Sequence, residues 1–209
     1  MIEPLLEATF RVEGAHYSGM VQCGNLFLET DIQNAPVVKW KQAETGKFYT
    51  LMMLDFDGNA NGFWPDPVPS GKKVPVRHWI VGNVPGELLR TTGYTEPAIG
   101  MEADKPRGIQ SYRAPHIPVV SDRYGLYLFE QTGRTEFAEL TGSITNFDYT
   151  AFLKAHRLGE PKASNFFVAV YTSESPFSGK PFQGNDVSAN WQIDHGKGHL
   201  APVQGMPPR

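Results

Sequence analysis

The segment Lys47-Phe48-Tyr49-Thr50-Leu51-Met52-Met53-Leu54 restricts the fold of this chain more than any other stretch. It is rich in β-forming residues, and its last four positions are apolar without alternation. That is the pattern of a strand covered on both faces. The run passes directly into Asp55-Phe56-Asp57 and then into a segment broken by Gly58, Gly62, Pro65, Pro67, Pro69, Gly71 and Pro75. A buried strand therefore delivers acids to the start of a long loop at 57–76, and loops of this length in compact domains are often functional. With a period of two, Asp55 and Asp57 share one side if the strand continues. Read alone, they also fit aspartates that open a loop by bonding their own backbone.

Three further segments read as strands: His78 to Val84, closed by a Pro85-Gly86 turn, Tyr124 to Glu130, and Phe166 to Tyr171. The stretches 8–12 and 26–30 are weaker candidates. One helix is expected, capped by Asn146, with Phe147, Ala151, Ala155 and Leu158 at helical spacing and Gly159 with Pro161 as its stop. Gly 21 and Pro 17 suit many short strands joined by irregular loops. From about Ser173 the chain turns to Gly, Pro and polar residues. This divides it into a single domain at 1–182 and a Gly/Pro-rich extension with little regular structure at 183–209.

Charge narrows the partners. A net charge of −3 with no long Lys/Arg run argues against nucleic acid and against an anionic membrane surface. No apolar run is long enough for a transmembrane segment. Cys23 is the sole cysteine, and Met1-Ile2-Glu3-Pro4-Leu5-Leu6-Glu7 lacks the basic and apolar regions of a signal peptide. The expected location is cytoplasmic.

The residues able to carry chemistry stand at strand ends. His78, preceded by Arg77, starts one strand; Tyr112-Arg113-Ala114-Pro115-His116-Ile117-Pro118 is a Pro-braced loop; Ser121-Asp122-Arg123-Tyr124 leads into the next strand. Singly, a lone His at a strand edge is usually structural, and Asp122-Arg123 reads as a surface ion pair of small value. Together they are termini that a sheet can gather at one rim, as a polar or anion-binding pocket.

Three stretches in order resemble the phosphatidylethanolamine-binding protein family, which includes Raf kinase inhibitor proteins and plant flowering regulators. Trp40 through Asp57 is similar to its Thr-Leu-x-x-x-Asp-Pro-Asp-Ala-Pro region and the lead before it. Arg77-His78-Trp79-Ile80-Val81-Gly82-Asn83 resembles its His-rich strand, and Tyr112 through Gln131 its Pro-rich loop and His-Arg-Tyr segment. Phe147 through Tyr171 looks like its late helix and last core strand, so the likeness extends over about 20–172. It implies a mainly β fold, a β-sandwich of two antiparallel sheets with a few peripheral helices. It also implies a ligand pocket at Asp55, Asp57, His78, Pro115, Asp122 and Tyr124, with no catalytic residue, metal or cofactor.

Two positions depart from the family pattern. Gly58-Asn59 replaces Ala-Pro, which releases a fixed φ at the start of the loop. Asp122 stands where the family has a His, and an ionised carboxylate accepts hydrogen bonds but donates none to phosphate. Three resolutions are open. His116 supplies the missing donor; Arg77, Arg113 or Arg123 neutralises the acids; or the pocket prefers a cation such as an amine or a metal ion. The family's C-terminal gating Tyr also lacks a counterpart after Tyr171, Phe177 and Phe182 being the nearest aromatics.

The resemblance implies a non-enzymatic regulatory protein whose pocket takes a small anionic ligand or phospholipid headgroup. Its partner would be a protein kinase or other signalling protein, and its phosphate binding would be weaker than in typical members. The alternatives are a hydrolase using Asp55, His78 and Asp122 as acid/base groups, or a protease-inhibitor-like module acting through the 57–76 loop.

Overall fold

In the computed structural model the described residues are 5–11, 19–55, 75–96, 106–115, 121–137, 140, 144–145, 147–170, 191–193 and 200–202. Along the chain they form β1 (Glu7–Thr9), β2 (Leu26–Leu28), a 3-10 turn (Glu29–Ile32), β3 (Val37–Lys39), β4 (Phe48–Asp55) and β5 (Val76–Pro85). Then come α1 (Gly86–Arg90), β6 (Arg107–Gln110), β7 (Ser121–Glu130), α2 (Tyr149–Ala155), β8 (Ala163–Val170), β9 (Trp191–Ile193) and β10 (Leu200–Pro202). The chain is mainly β.

The central element is a six-stranded sheet in the order β2-β8-β7-β4-β5-β6. It is antiparallel throughout except that β2 runs parallel to β8. β4 is central, and it is buried from Tyr49 to Asp55 because both faces of the sheet are covered. On one face Tyr49, Leu51, Met53, Tyr124 and Leu126 pack with Ala8, Val38 and Trp40 from the small β1–β3 sheet and its neighbour. On the other, Met52, Leu54, Ile80 and Phe129 pack with Phe137, Phe147 and Phe152. The unbroken apolar run is thus one strand feeding two cores.

Helix α2 lies at the expected place with different ends. Its cap is Asp148, whose Oδ1 accepts the Ala151 N–H at 2.9 Å, so the helix starts after Asp148 and not after Asn146. It stops before Gly159. Arg157 takes the left-handed φ of 53°, its N–H reaching Lys154 O at 3.2 Å, and Leu158 N–H reaches Leu153 O at 2.9 Å. These paired bonds satisfy the last carbonyls, and Leu153 and Leu158 pack in the same core.

Within 183–209, expected to lack regular structure, β9 and β10 pair with each other. Helix α1 occupies the place of the expected Pro85-Gly86 turn. Five residues are too few to show a helical period, and Pro85 with Gly86 reads equally well as a turn.

Candidate functional site

The rim of the large sheet is built by its pairing register. Asp55, the last residue of β4, lies directly opposite Tyr124 of β7 on one side and Val76 of β5 on the other. Asp122 lies two residues before Tyr124 and so shares its face of the sheet. Asp55, Asp122 and Tyr124 thus stand at the same end of two adjoining strands.

His78 reaches the same face by a break in the pattern. Met53 pairs with Trp79 but Leu54 pairs with Arg77, leaving His78 as an extra residue, a β-bulge. Trp79 packs in the core on the Tyr124 face, whereas the Arg77 guanidinium lies over the Phe147 ring on the opposite face. Strict alternation would put His78 opposite Trp79. The bulge instead turns His78 to the Tyr124 side, where the two rings meet edge to face, centroids 5.1 Å apart at 88°. The 111–115 loop locks the bulge: Arg113 N–H donates to His78 O at 2.8 Å, and His78 Nδ1 lies 2.9 Å from Arg113 O. A carbonyl only accepts, so Nδ1 carries the proton and Nε2 presents a lone pair.

All four side chains are buried: Asp55 is 1% exposed, His78 1%, Asp122 3% and Tyr124 0%. Burial pushes the His78 imidazole down to about 4, so it is neutral near pH 7; the bond to the Arg113 carbonyl opposes this and the Arg113 charge adds to it. Burial also drives the Tyr124 phenol well above its ordinary value, with Asp55 and then Asp122 adding to the rise. Tyr124 therefore keeps its proton, its ring stacked on Phe167 at 5.3 Å. His78 Nε2 and the Tyr124 hydroxyl have no hydrogen-bond partner among the described residues. A buried polar atom without a partner is costly and fits a place that something else fills.

Pro115 is buried at the end of the loop that holds His78. Asp57 and His116 lie outside the described residues, as do most of the 57–76 loop, Phe177 and Phe182. Arg77 turns to the far side of the sheet, its Nε donating to Gln110 Oε1 at 3.1 Å and its guanidinium over the Phe147 ring. Arg123 also lies on that far side, where its charge acts on Tyr127, since β7 alternates regularly past Asp122 and Tyr124. Arg113 has an exposed side chain and contributes its backbone. Among the described residues no group of three or more His, Cys, Asp or Glu is placed to hold a metal ion.

Asn83 and Gln131, at the ends of the strand patterns quoted from the sequence, serve the fold. Asn83 has a φ of 57° at a second irregularity of β5, where Tyr49 pairs with Val84 but Leu51 with Val81. Its Oδ1 accepts from Gln131 Nε2 and from Thr135 N–H, both at 2.9 Å, and its Nδ2 donates to Thr135 O at 2.9 Å. Gln131 Oε1 accepts from Asn83 N–H and from the Thr50 hydroxyl.

Residues 14–167, which span all four gathered side chains, match the family described as phosphatidylethanolamine-binding protein. The chain belongs to the phosphatidylethanolamine-binding protein family. It is similar to the protein TWIN SISTER of FT of Arabidopsis thaliana, 32% identical over 142 residues that make up 66% of this chain and 67% of the relative. A 26 kDa secreted antigen of Toxocara canis is 29% identical over 155 residues, 70% of this chain but 51% of that protein. Among solved structures, a carboxypeptidase Y inhibitor complexed with its cognate proteinase superposes with a TM-score of 0.57 at 18% identity, over 80% of this chain and 83% of the other. At that identity the likeness is one of fold.

As a phosphatidylethanolamine-binding protein, the chain is a member of a family of ligand-binding and regulatory proteins. No helix among its described residues is long and apolar enough to cross a membrane. At the sheet rim this phosphatidylethanolamine-binding protein buries a second carboxyl group, Asp122, on the face that carries Tyr124.

Proposed function

We propose that this chain is a non-enzymatic, cytosolic ligand-binding regulator of the phosphatidylethanolamine-binding protein family. Its ligand-binding unit is residues 1–182, with 183–209 as an extension. The pocket is built on Asp55, His78, Asp122 and Tyr124, with Pro115, Asp57 and His116 from the adjoining segments, and takes a small polar ligand of the phospholipid-headgroup type. By family likeness, ligand occupancy modulates a signalling partner such as a protein kinase.

One observation carries the reading. The His78 Nε2 lone pair and the Tyr124 hydroxyl are buried, the two rings in contact, without partners among the described residues, next to the Asp55–Tyr124 cross-strand pair. A folded chain tolerates two such atoms side by side where a ligand completes their bonding. Titration with phosphoethanolamine, followed by calorimetry and by the His78 ring resonances, tests it. Saturable binding that perturbs His78 is expected; no binding at millimolar ligand to a folded protein sinks the pocket. Turnover of an ester or phosphoester panel that disappears in His78→Ala would instead favour acid–base chemistry by the same residues.

A further inference from the structure

The carbonyl that sets the His78 tautomer is not delivered by regular strand pairing. β6 pairs with β5 as far as Ile80 and Gln110. Carried on in the same register, that ladder would set Tyr112 opposite His78. The residue that meets His78 is instead Arg113. Its N–H donates to His78 O at 2.8 Å, and His78 Nδ1–H donates to Arg113 O at 2.9 Å. Directly paired residues of an antiparallel ladder can exchange two backbone bonds, whereas here the imidazole ring gives the second one. After Gln110 the chain has slipped by one residue relative to β5.

Tyr112 is held off that ladder by groups outside β5 and β6. Its N–H donates to Glu96 Oε2 at 2.9 Å and its hydroxyl to Ile32 O at 2.6 Å. Its ring meets Trp79 edge to face, centroids 5.9 Å apart. Ile32 ends the 3-10 turn that follows β2. The segment carrying Glu96 is tied to β3 through Tyr94, which exchanges both backbone bonds with Val38. Backbone, ring and hydroxyl of Tyr112 are thus fixed together, and Arg113 is the next residue.

We propose that Tyr112 is a positioning residue of the pocket. Tied to the Ile32 turn and to Glu96, it holds Arg113 one residue out of ladder register, where the Arg113 carbonyl accepts from His78 Nδ1–H and leaves Nε2 as the acceptor. Which imidazole nitrogen carries the proton is set by the bond the other one makes. Loss of the Arg113 bond frees the proton to move to Nε2, which then donates where it had accepted. Tyr112 therefore sets the hydrogen-bonding sense of the imidazole from the layer that carries β3 and the Ile32 turn. This inference rests on the pocket proposed above for its consequence in binding, and on the loop geometry alone for the tautomer.

The nitrogen resonances of the His78 ring are recorded at pH 7.5 in the full-length protein and in Tyr112→Phe, Glu96→Ala and Glu96→Gln. The unmodified protein is expected to show the Nδ1–H form alone. Tyr112→Phe and Glu96→Ala are expected to show a mixture of the two tautomers and to bind phosphoethanolamine about fivefold more weakly, the value of one lost hydrogen bond. Glu96→Gln keeps an oxygen acceptor for the Tyr112 N–H and is expected to restore the Nδ1–H form. A purely structural role for Tyr112 would lower stability and leave the tautomer unmoved. An unchanged Nδ1–H form in folded Tyr112→Phe and Glu96→Ala overturns the proposal. Where those variants fail to fold, hydrogen exchange in the unmodified protein decides. The Tyr112 and Arg113 amides are expected to exchange at matching rates, and a freely exchanging Tyr112 beside a protected Arg113 overturns the positioning role. Absence of phosphoethanolamine binding, with the tautomer shifts as expected, overturns the pocket and upholds the role of Tyr112.

Discussion

Asp55 and Tyr124 are direct partners across the β4–β7 ladder, the last residue of one core strand against the fourth of the other. Their pairing places a carboxylate beside a buried phenol, and Asp122 approaches the same phenol from within β7. The Tyr124 hydroxyl is held neutral by burial first and by these two acids second. The arrangement leaves polar atoms in a dry place, and its consequences are measurable.

Tyr124→Phe removes a buried hydroxyl that has no hydrogen-bond partner among the described residues. The variant is expected to keep or slightly gain stability without ligand, by up to about 1 kcal/mol. Affinity for phosphoethanolamine should fall about tenfold, the value of one good hydrogen bond. Urea denaturation and calorimetry check the two halves independently. A variant that loses stability but not affinity would show that the hydroxyl serves the fold.

Protonation of His78 couples to stability. Its folded pKa of about 4 lies below the ordinary 6.5, so between those values the unfolded chain holds a proton that the folded chain refuses. Stability contributed by this group is complete above pH 6.5 and is lost as pH falls toward 4. At about 1.4 kcal/mol for each pKa unit, the loss is at most about 3.5 kcal/mol. Urea midpoints across that range should drop more steeply than in His78→Gln. Parallel profiles for the two proteins would count against a buried neutral imidazole.

Asn83 combines a left-handed φ of 57° with a side chain bonded to Gln131 and Thr135. Asn83→Ala should cost about 2–4 kcal/mol, because it strands buried partners and keeps the backbone strain. Asn83→Gly also strands them but relieves the strain, and should be about 1 kcal/mol less harmful. Equal losses would show that the side-chain network alone sets the cost.

The ends of α2 offer exposed test positions. Asp148→Ala removes the acceptor of the Ala151 N–H and should cost about 1 kcal/mol. Arg157→Gly, at a φ of 53°, should stabilise by about 0.5–1 kcal/mol, since glycine takes that conformation without a Cβ penalty. Thermal melts that moved both variants in the same direction would contradict this account of the helix ends.

Much of the fold was legible in local chemistry. The run from Phe48 to Leu54 announces a strand covered on both faces, and alternating or apolar stretches mark β5, β7 and β8, because burial imposes a period on neighbouring residues. Short elements leave no such trace. β3 and β6 have three and four residues, and α1 has five, too few to repeat a period. The α2 boundaries were displaced because Asn146 and Asp148 are equivalent caps in sequence, and only the bond to Ala151 N–H distinguishes them.

The sequence by itself determined which residues could act, since Asp55, His78, Asp122 and Tyr124 stand at strand ends and their protonation chemistry belongs to the side chains. It also determined that a carboxyl group, Asp122, stands where the family pattern has a His. The tertiary structure decided which way they face. A period of two assigns His78 and Trp79 to opposite sides; only the hydrogen-bond register with β4 makes His78 the extra residue and turns it onto Tyr124. Register is a property of two strands, so one strand's residues cannot encode it. The His78 tautomer has the same origin, set by the carbonyl of Arg113 thirty-five residues away in the chain.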